Sequence, residues 1–116
     1  MKLTRYVTEM GMGIDVHGGD YTKAAKRAVS DAIRHSSLNF FSALDKSPHD
    51  MHITVKLGVA DPTAIDLEAV AKELPYGVVT VEPERGGLNV SAANGTDLMV
   101  MVNAAILVCF QEPTDG

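Results

Sequence analysis

Tryptophan is absent, phenylalanine and tyrosine occur three times each, and there is one cysteine, Cys109. So few rings exclude a base-stacking platform for nucleic acid. A net charge of −5 removes the basic face that a phosphate backbone requires. A single cysteine excludes an internal disulfide and a Cys-rich zinc site. No apolar run approaches the roughly 20 residues of a membrane helix, and the N-terminus lacks the apolar centre of a secretion signal. These absences imply a cytoplasmic protein without nucleic-acid or membrane partners. What is present suits one globular domain over residues 1–116, with 46% apolar and 22% charged residues. Residues 112–116 read as a flexible tail.

The densest stretch is Glu9-Met-Gly-Met-Gly-Ile-Asp-Val-His-Gly-Gly-Asp20. Leu3–Ile14 alternates as a strand, with Tyr6, Thr8, Met10, Met12 and Ile14 on one face. Arg5, Val7, Glu9, Gly11 and Gly13 lie on the other, so Arg5 and Glu9 project together unless a bulge intervenes. Gly11 and Gly13 strip that second face of side chains, which implies a close approach to the backbone. Asp20 or Thr22 then caps a helix reaching about His35. Its buried stripe is Ala24, Ala25, Ala28, Val29, Ala32 and Ile33.

Ser36–Asp50 is polar and interrupted but holds Leu38, Phe40, Phe41 and Leu44, a pattern that fits packing on a neighbour, including another subunit. His52–Val59 alternates as a strand with Ile53, Val55, Leu57 and Val59 inward. After the Asp61-Pro62 break a second helix spans about Asp66–Leu74, capped by Asp66. Val78–Val81 and Gly87–Ala92 read as strands of a hairpin turning at Pro83–Gly87. Leu98–Phe110 is a long apolar run whose second half is strand, Ile106, Val108 and Phe110 being sheet formers. Met99–Ala105 fits helix or strand. The sum is an α+β fold: a single mixed β-sheet with two helices packed on one face. The opposite face is expected to carry Glu9, Lys56, Asn89, Ser91 and Asn103, and so to be wet or to wall a site between subunits.

Three constellations carry chemistry. Asp15-Val-His17 puts a carboxylate and an imidazole one residue apart, a pair able to reach one divalent metal, with His52, His49 or Glu9 as third ligand. The alternative is that both side chains shape the turn. Gly18-Gly19-Asp20 before Thr22-Lys23 resembles an anion cradle at a helix start, although an Asp cap already satisfies those amides. Lys23 is a first-turn cation against the helix dipole, which suggests another use for it. Lys56 and Ser91 fall on one sheet face by alternation, as a lysine base and a serine nucleophile must. Two solvated strand residues would show the same alternation. Arg85, beside Gly86-Gly87, suits a carboxylate clamp, and Asn94-Gly95 is a turn.

Glu9-Met-Gly-Met-Gly-Ile-Asp-Val-His-Gly18, with Thr22-Lys-Ala-Ala-Lys-Arg-Ala-Val-Ser-Asp-Ala-Ile33, resembles a small conserved-hypothetical family of bacteria and plants. Its signature is GxGxDxHG followed by TKAAxRAVxDAI, and it implies kinship without a function. Ile53-Thr-Val-Lys56, the helix before it, and Leu88-Asn-Val-Ser91-Ala-Ala-Asn-Gly95 are similar to one repeat of the ring-opening amidohydrolases, cyanuric acid hydrolase and barbiturase. Those enzymes surround one site with three such repeats, each giving a strand Lys and a strand Ser. The likeness implies a homotrimer or other multiple, with Lys56 as general base and Ser91 as nucleophile or oxyanion contact. Gly13-Ile-Asp15-Val-His17 is also similar to the metal-binding Asp-x-His of the isoprenoid cyclodiphosphate synthase.

Two functions follow as expectations. The first is a homo-oligomeric hydrolase of a small cyclic amide or imide, with Lys56 and Ser91 at a subunit interface and Glu9, Arg85, Asn94, Gly95 and Lys23 around the substrate. The second is a non-hydrolytic oligomer holding a divalent metal or small anion at Asp15 and His17.

Overall fold

The computed structural model of the chain describes residues 2–34, 46–74 and 76–113. Strand β1 (Lys2–Asp15) leads to helix α1 (Tyr21–Arg34), and a 3-10 turn at Pro48–Asp50 precedes β2 (His52–Val59). A second such turn at Pro62–Ala64 and helix α2 (Leu67–Ala71) lead to β3 (Val78–Arg85), β4 (Leu88–Ser91) and β5 (Leu98–Glu112). The five strands form one mixed sheet ordered β1-β5-β2-β3, with β4 also paired to β5. β1, β2 and β4 run antiparallel to β5, and β3 runs parallel to β2. Both helices cover one face, so the α+β architecture is as the sequence predicts. No helix among the described residues is long and apolar enough to cross a membrane. The Phe40-Phe41 segment lies outside the described residues.

The core lies between sheet and helices. Ala24, Ala25, Ala28, Val29 and Ala32 of α1 are fully buried against Val55, Leu57, Val100, Val102 and Phe110. A fully buried Val, Leu or Phe contributes about 1.5–3 kcal/mol by leaving water. The alanine stripe contributes less per residue but lets the helix come close. A Cβ on Gly13 would sit 2.2 Å from the Ala24 carbonyl oxygen, and one on Gly11 would sit 2.4 Å from the Ala32 nitrogen. The group that approaches the bare backbone is therefore α1 itself.

That contact reverses the expected sides of β1. Val7, Glu9, Gly11, Gly13 and Asp15 share a face with Val108, Ile106, Ala104, Val102 and Val100, beneath the helices. Met10, Met12 and Ile14 lie on the uncovered face and are largely exposed. A register shift between Arg5 and Val7 turns Arg5 to the open side, opposite Cys109, and separates it from Glu9. A bulge re-aims side chains in this way.

β3 and β4 do not form the expected hairpin. β3 continues through Pro83 to Arg85 as the parallel partner of β2, and the chain then crosses to β5 at Gly86-Gly87. β4 pairs with β5, Ser91 facing Leu98 and Asn89 facing Val100, so the real hairpin is β4–β5. Met99–Ala105 is strand throughout. Its hydrogen-bond partners on β1 and β2 or β4 decide the choice that periodicity left open. α2 is shorter than predicted. Asp66 caps it by accepting from the Ala69 N–H at 3.1 Å, and it tightens into a turn through Leu74. Glu112 belongs to β5 and pairs with Lys46 at 2.9 Å, so it is not part of a loose tail.

Candidate functional site at the end of the sheet

The loop after β1, the start of α1 and the β4–β5 hairpin meet at one end of the molecule. Asp15 is the last residue of β1 and is buried. Its Oδ2 accepts the Asp20 N–H at 3.0 Å, and its Oδ1 lies 3.6 Å from Arg27 and 3.9 Å from Lys23. Asp20 Oδ1 in turn accepts the Lys23 N–H at 3.0 Å, which is helix capping. Lys23 is thereby used as one of two counter-cations for a buried carboxylate, an arrangement that offsets the cost of burying it. Tyr21 OH accepts from Asn89 Nδ2 at 2.6 Å and fastens the start of α1 to β4.

His17 is held differently. Its Nδ1 lies 2.8 Å from Asp97 Oδ2, while Asp97 Oδ1 accepts the Gly18 N–H at 2.8 Å and the Leu98 N–H at 2.9 Å. These bonds, the Gly18 N–H foremost, lower the Asp97 pKa from the ordinary carboxylate value to about 2. An ionised carboxylate only accepts, so the proton of a neutral His17 sits on Nδ1 and Nε2 keeps its lone pair. Asp97 is the residue that the sequence reading missed. Its position after the Asn94-Gly95 turn and before β5 was the available signal, but its partners His17 and Gly18 lie about 80 positions away.

Beside this latch is a shallow depression of about 440 Å³ bordered by Gly18, Gly19, Ser91, Gly95, Thr96 and Asp97. Ser91 ends β4 on the helix-covered side, and Asn94 Oδ1 accepts the Thr96 N–H at 3.1 Å to shape the turn. Chemically, the depression offers a hydroxyl and a fixed negative charge beside main chain that three φ-positive glycines, Gly18, Gly19 and Gly95, hold open. It favours a small polar molecule with N–H donors over an anion.

The remaining predicted residues are dispersed. Lys56 projects from the open face, beside Ala105 of β5 and Glu82 of β3. Lys56 and Ser91 are thus on opposite faces of the sheet, which corrects the shared face that simple alternation assigned. Of the polar set expected on the second face, only Lys56 and Asn103 are there; Glu9, Asn89 and Ser91 lie on the helix side. Arg85 ends β3 opposite Val59, with its charge near Asp61. Asp15 and His17 engage separate partners, and no three His, Cys, Asp or Glu side chains among the described residues converge as a metal set.

The family model "Conserved hypothetical protein (Lin0512_fam)" matches residues 5–108. No curated protein matches the chain. Among solved structures, the chain is similar to an FtsZ-like protein of unknown function from Nostoc punctiforme. The two are 36% identical with a TM-score of 0.86, over 97% of this chain and 99% of that one.

Proposed function

The chain belongs to the Lin0512 conserved hypothetical family, and on that footing we propose that it is a homo-oligomeric cytoplasmic hydrolase of a small cyclic amide or imide. The observation that carries this reading is the depression in which Ser91 and Asp97 share glycine-rich walls, with His17 bonded to Asp97. The ionised Asp97 attracts substrate N–H groups. Ser91 Oγ adds to the ring carbonyl while His17 Nε2 takes its proton. The C–N bond then breaks, the ring nitrogen receives that proton, and water releases the acyl group from Ser91. The Asp97–His17 bond fixes the ring orientation and tautomer that this transfer requires.

This assigns the base to His17 within the chain. A Ser–Lys mechanism instead needs Lys56 of a neighbouring subunit, because Lys56 and Ser91 of one chain lie on opposite faces. A second reading, a non-hydrolytic small-ligand binder, draws on the fact that Asp97 also ties down Gly18 and so holds the loop.

The test is ring opening of succinimide, hydantoin, barbiturate and cyanurate, followed by mass spectrometry. Turnover of one ring is expected, abolished by Ser91→Ala and lowered about 100-fold or more by His17→Ala, the usual range for a general base. Lys56→Ala is expected to retain it. Loss in Lys56→Ala with retention in His17→Ala would reinstate the Ser–Lys pair. Binding without turnover would favour the binder.

A further inference from the structure

Strand β5 is apolar on its helix side and, apart from Asn103 at its middle, on its open side as well. Val100, Val102, Ala104, Ile106, Val108 and Phe110 face the helices, while Met99, Met101, Ala105 and Leu107 face the open side. A sheet with one wet face alternates apolar with polar, whereas near-continuous apolar residues, here broken only by Asn103, mark a strand covered on both sides. The neighbouring strands extend the patch. Met10 is 68% exposed, Met12 48%, Leu88 55% and Val90 45%. Their register partners are Ala105, Asn103, Met101 and Met99 respectively, all on the open face.

Resting on the oligomeric part of the proposed function, we infer that this open face packs against the same face of a second copy of the chain. The dimensions fit. At about 3.4 Å per residue and about 4.8 Å between strands, β5 with its neighbours presents a face on the order of 700 Å². A standard interface takes roughly 800 Å² from each partner. The rim fits as well. Arg5 and His52 at one end supply positive or protonatable groups, Glu82 and Glu84 of the exposed β3 supply negative ones, and Lys56 of the interior strand β2 lies between Ala105 and Glu82, all on this side. A face holding both signs beside an apolar centre complements its own copy, as an isologous contact demands.

The edges of the sheet discourage the other mode of self-association, strand addition. On β1, Asp31 Oδ2 accepts the Met12 N–H at 3.0 Å, and Arg27 Nη1 donates to the Ile14 carbonyl at 2.6 Å. On β3, Pro83 removes a donor from the opposite edge. Two sheets stacked through this face lie about 10 Å apart with interdigitated side chains.

Cys109 lies on this face opposite His52 and Arg5, and so reports on its cover. The experiment is light scattering of the purified chain combined with the rate of Cys109 alkylation by a maleimide. The expected result is a mass of two or more times 12.4 kDa, with alkylation at least 10-fold slower than in Met10→Glu or Leu88→Glu. Both variants are expected to be monomers by light scattering and folded by circular dichroism, and Leu67→Glu, at an exposed position of α2, is expected to remain assembled. A wild-type monomer would overturn the inference, and so would an oligomer whose Cys109 reacts as fast as in the variants. An oligomer that Met10→Glu and Leu88→Glu leave intact would also overturn it. Ring-opening activity is read separately, so loss of the hydrolase reading leaves this result standing.

Discussion

His17 Nδ1 sits 2.8 Å from Asp97 Oδ2, joining the loop after β1 to the hairpin that begins β5. The bond closes the end of the sheet where Ser91 lies. Its strength follows from charge, because Asp97 stays ionised and accepts from two main-chain N–H groups as well.

That latch is sensitive to acid. Asp97 has a folded pKa of about 2, below its ordinary value. Its contribution is therefore fully present above the ordinary carboxylate range and is lost as pH falls from about 4 towards 2. Amide hydrogen exchange at Gly18 and Leu98 is expected to accelerate over that window ahead of exchange in the core. Asp97→Asn is expected to show the faster exchange already at neutral pH.

The contact of α1 with β1 leaves no room for a methyl group. Gly13→Ala is expected to destabilise the fold by about 1–3 kcal/mol or more through overpacking. Thermal melting then falls on the order of 5–10 °C, and Gly11→Ala behaves alike. An unchanged melting temperature would mean that α1 does not lie on this face.

Asp15 is buried with its carboxylate engaged on both oxygens. Asp15→Ala removes the acceptor of the Asp20 N–H and leaves Arg27 without that counter-charge. A loss of about 1–3 kcal/mol in denaturant unfolding is expected from an orphaned buried partner. Zinc or manganese is expected to produce no thermal shift that depends on Asp15, since among the described residues no further His, Cys, Asp or Glu converges with it as a metal set.

Much of the architecture was legible locally. The alternation of His52–Val59 delimits β2, and the alanine stripe of Ala24–Ala32 identifies α1 and its buried side. Which face of β1 receives α1 was not legible, because period-two alternation treats both faces alike. Met10, Met12 and Ile14 are apolar yet exposed on the side away from the helices, so hydrophobicity along β1 points to the wrong face. The Pro83–Gly87 segment has hairpin composition, yet β3 and β4 take different partners through long-range register. That one rearrangement, together with the side taken by α1, moved Ser91 away from Lys56 and brought it beside Asp97. Composition alone could not nominate Asp97, because its role exists only once residues 17 and 97 are adjacent.

The most direct test of the site is intact-mass analysis and peptide mapping of the protein after exposure to a fluorophosphonate serine probe. The expected result is one adduct, mapped to Ser91, absent in Ser91→Ala, much slower to form in His17→Ala and unaffected in Lys56→Ala. No adduct at Ser91, or equal labelling in wild type and His17→Ala, would contradict a serine nucleophile served by the His17–Asp97 pair.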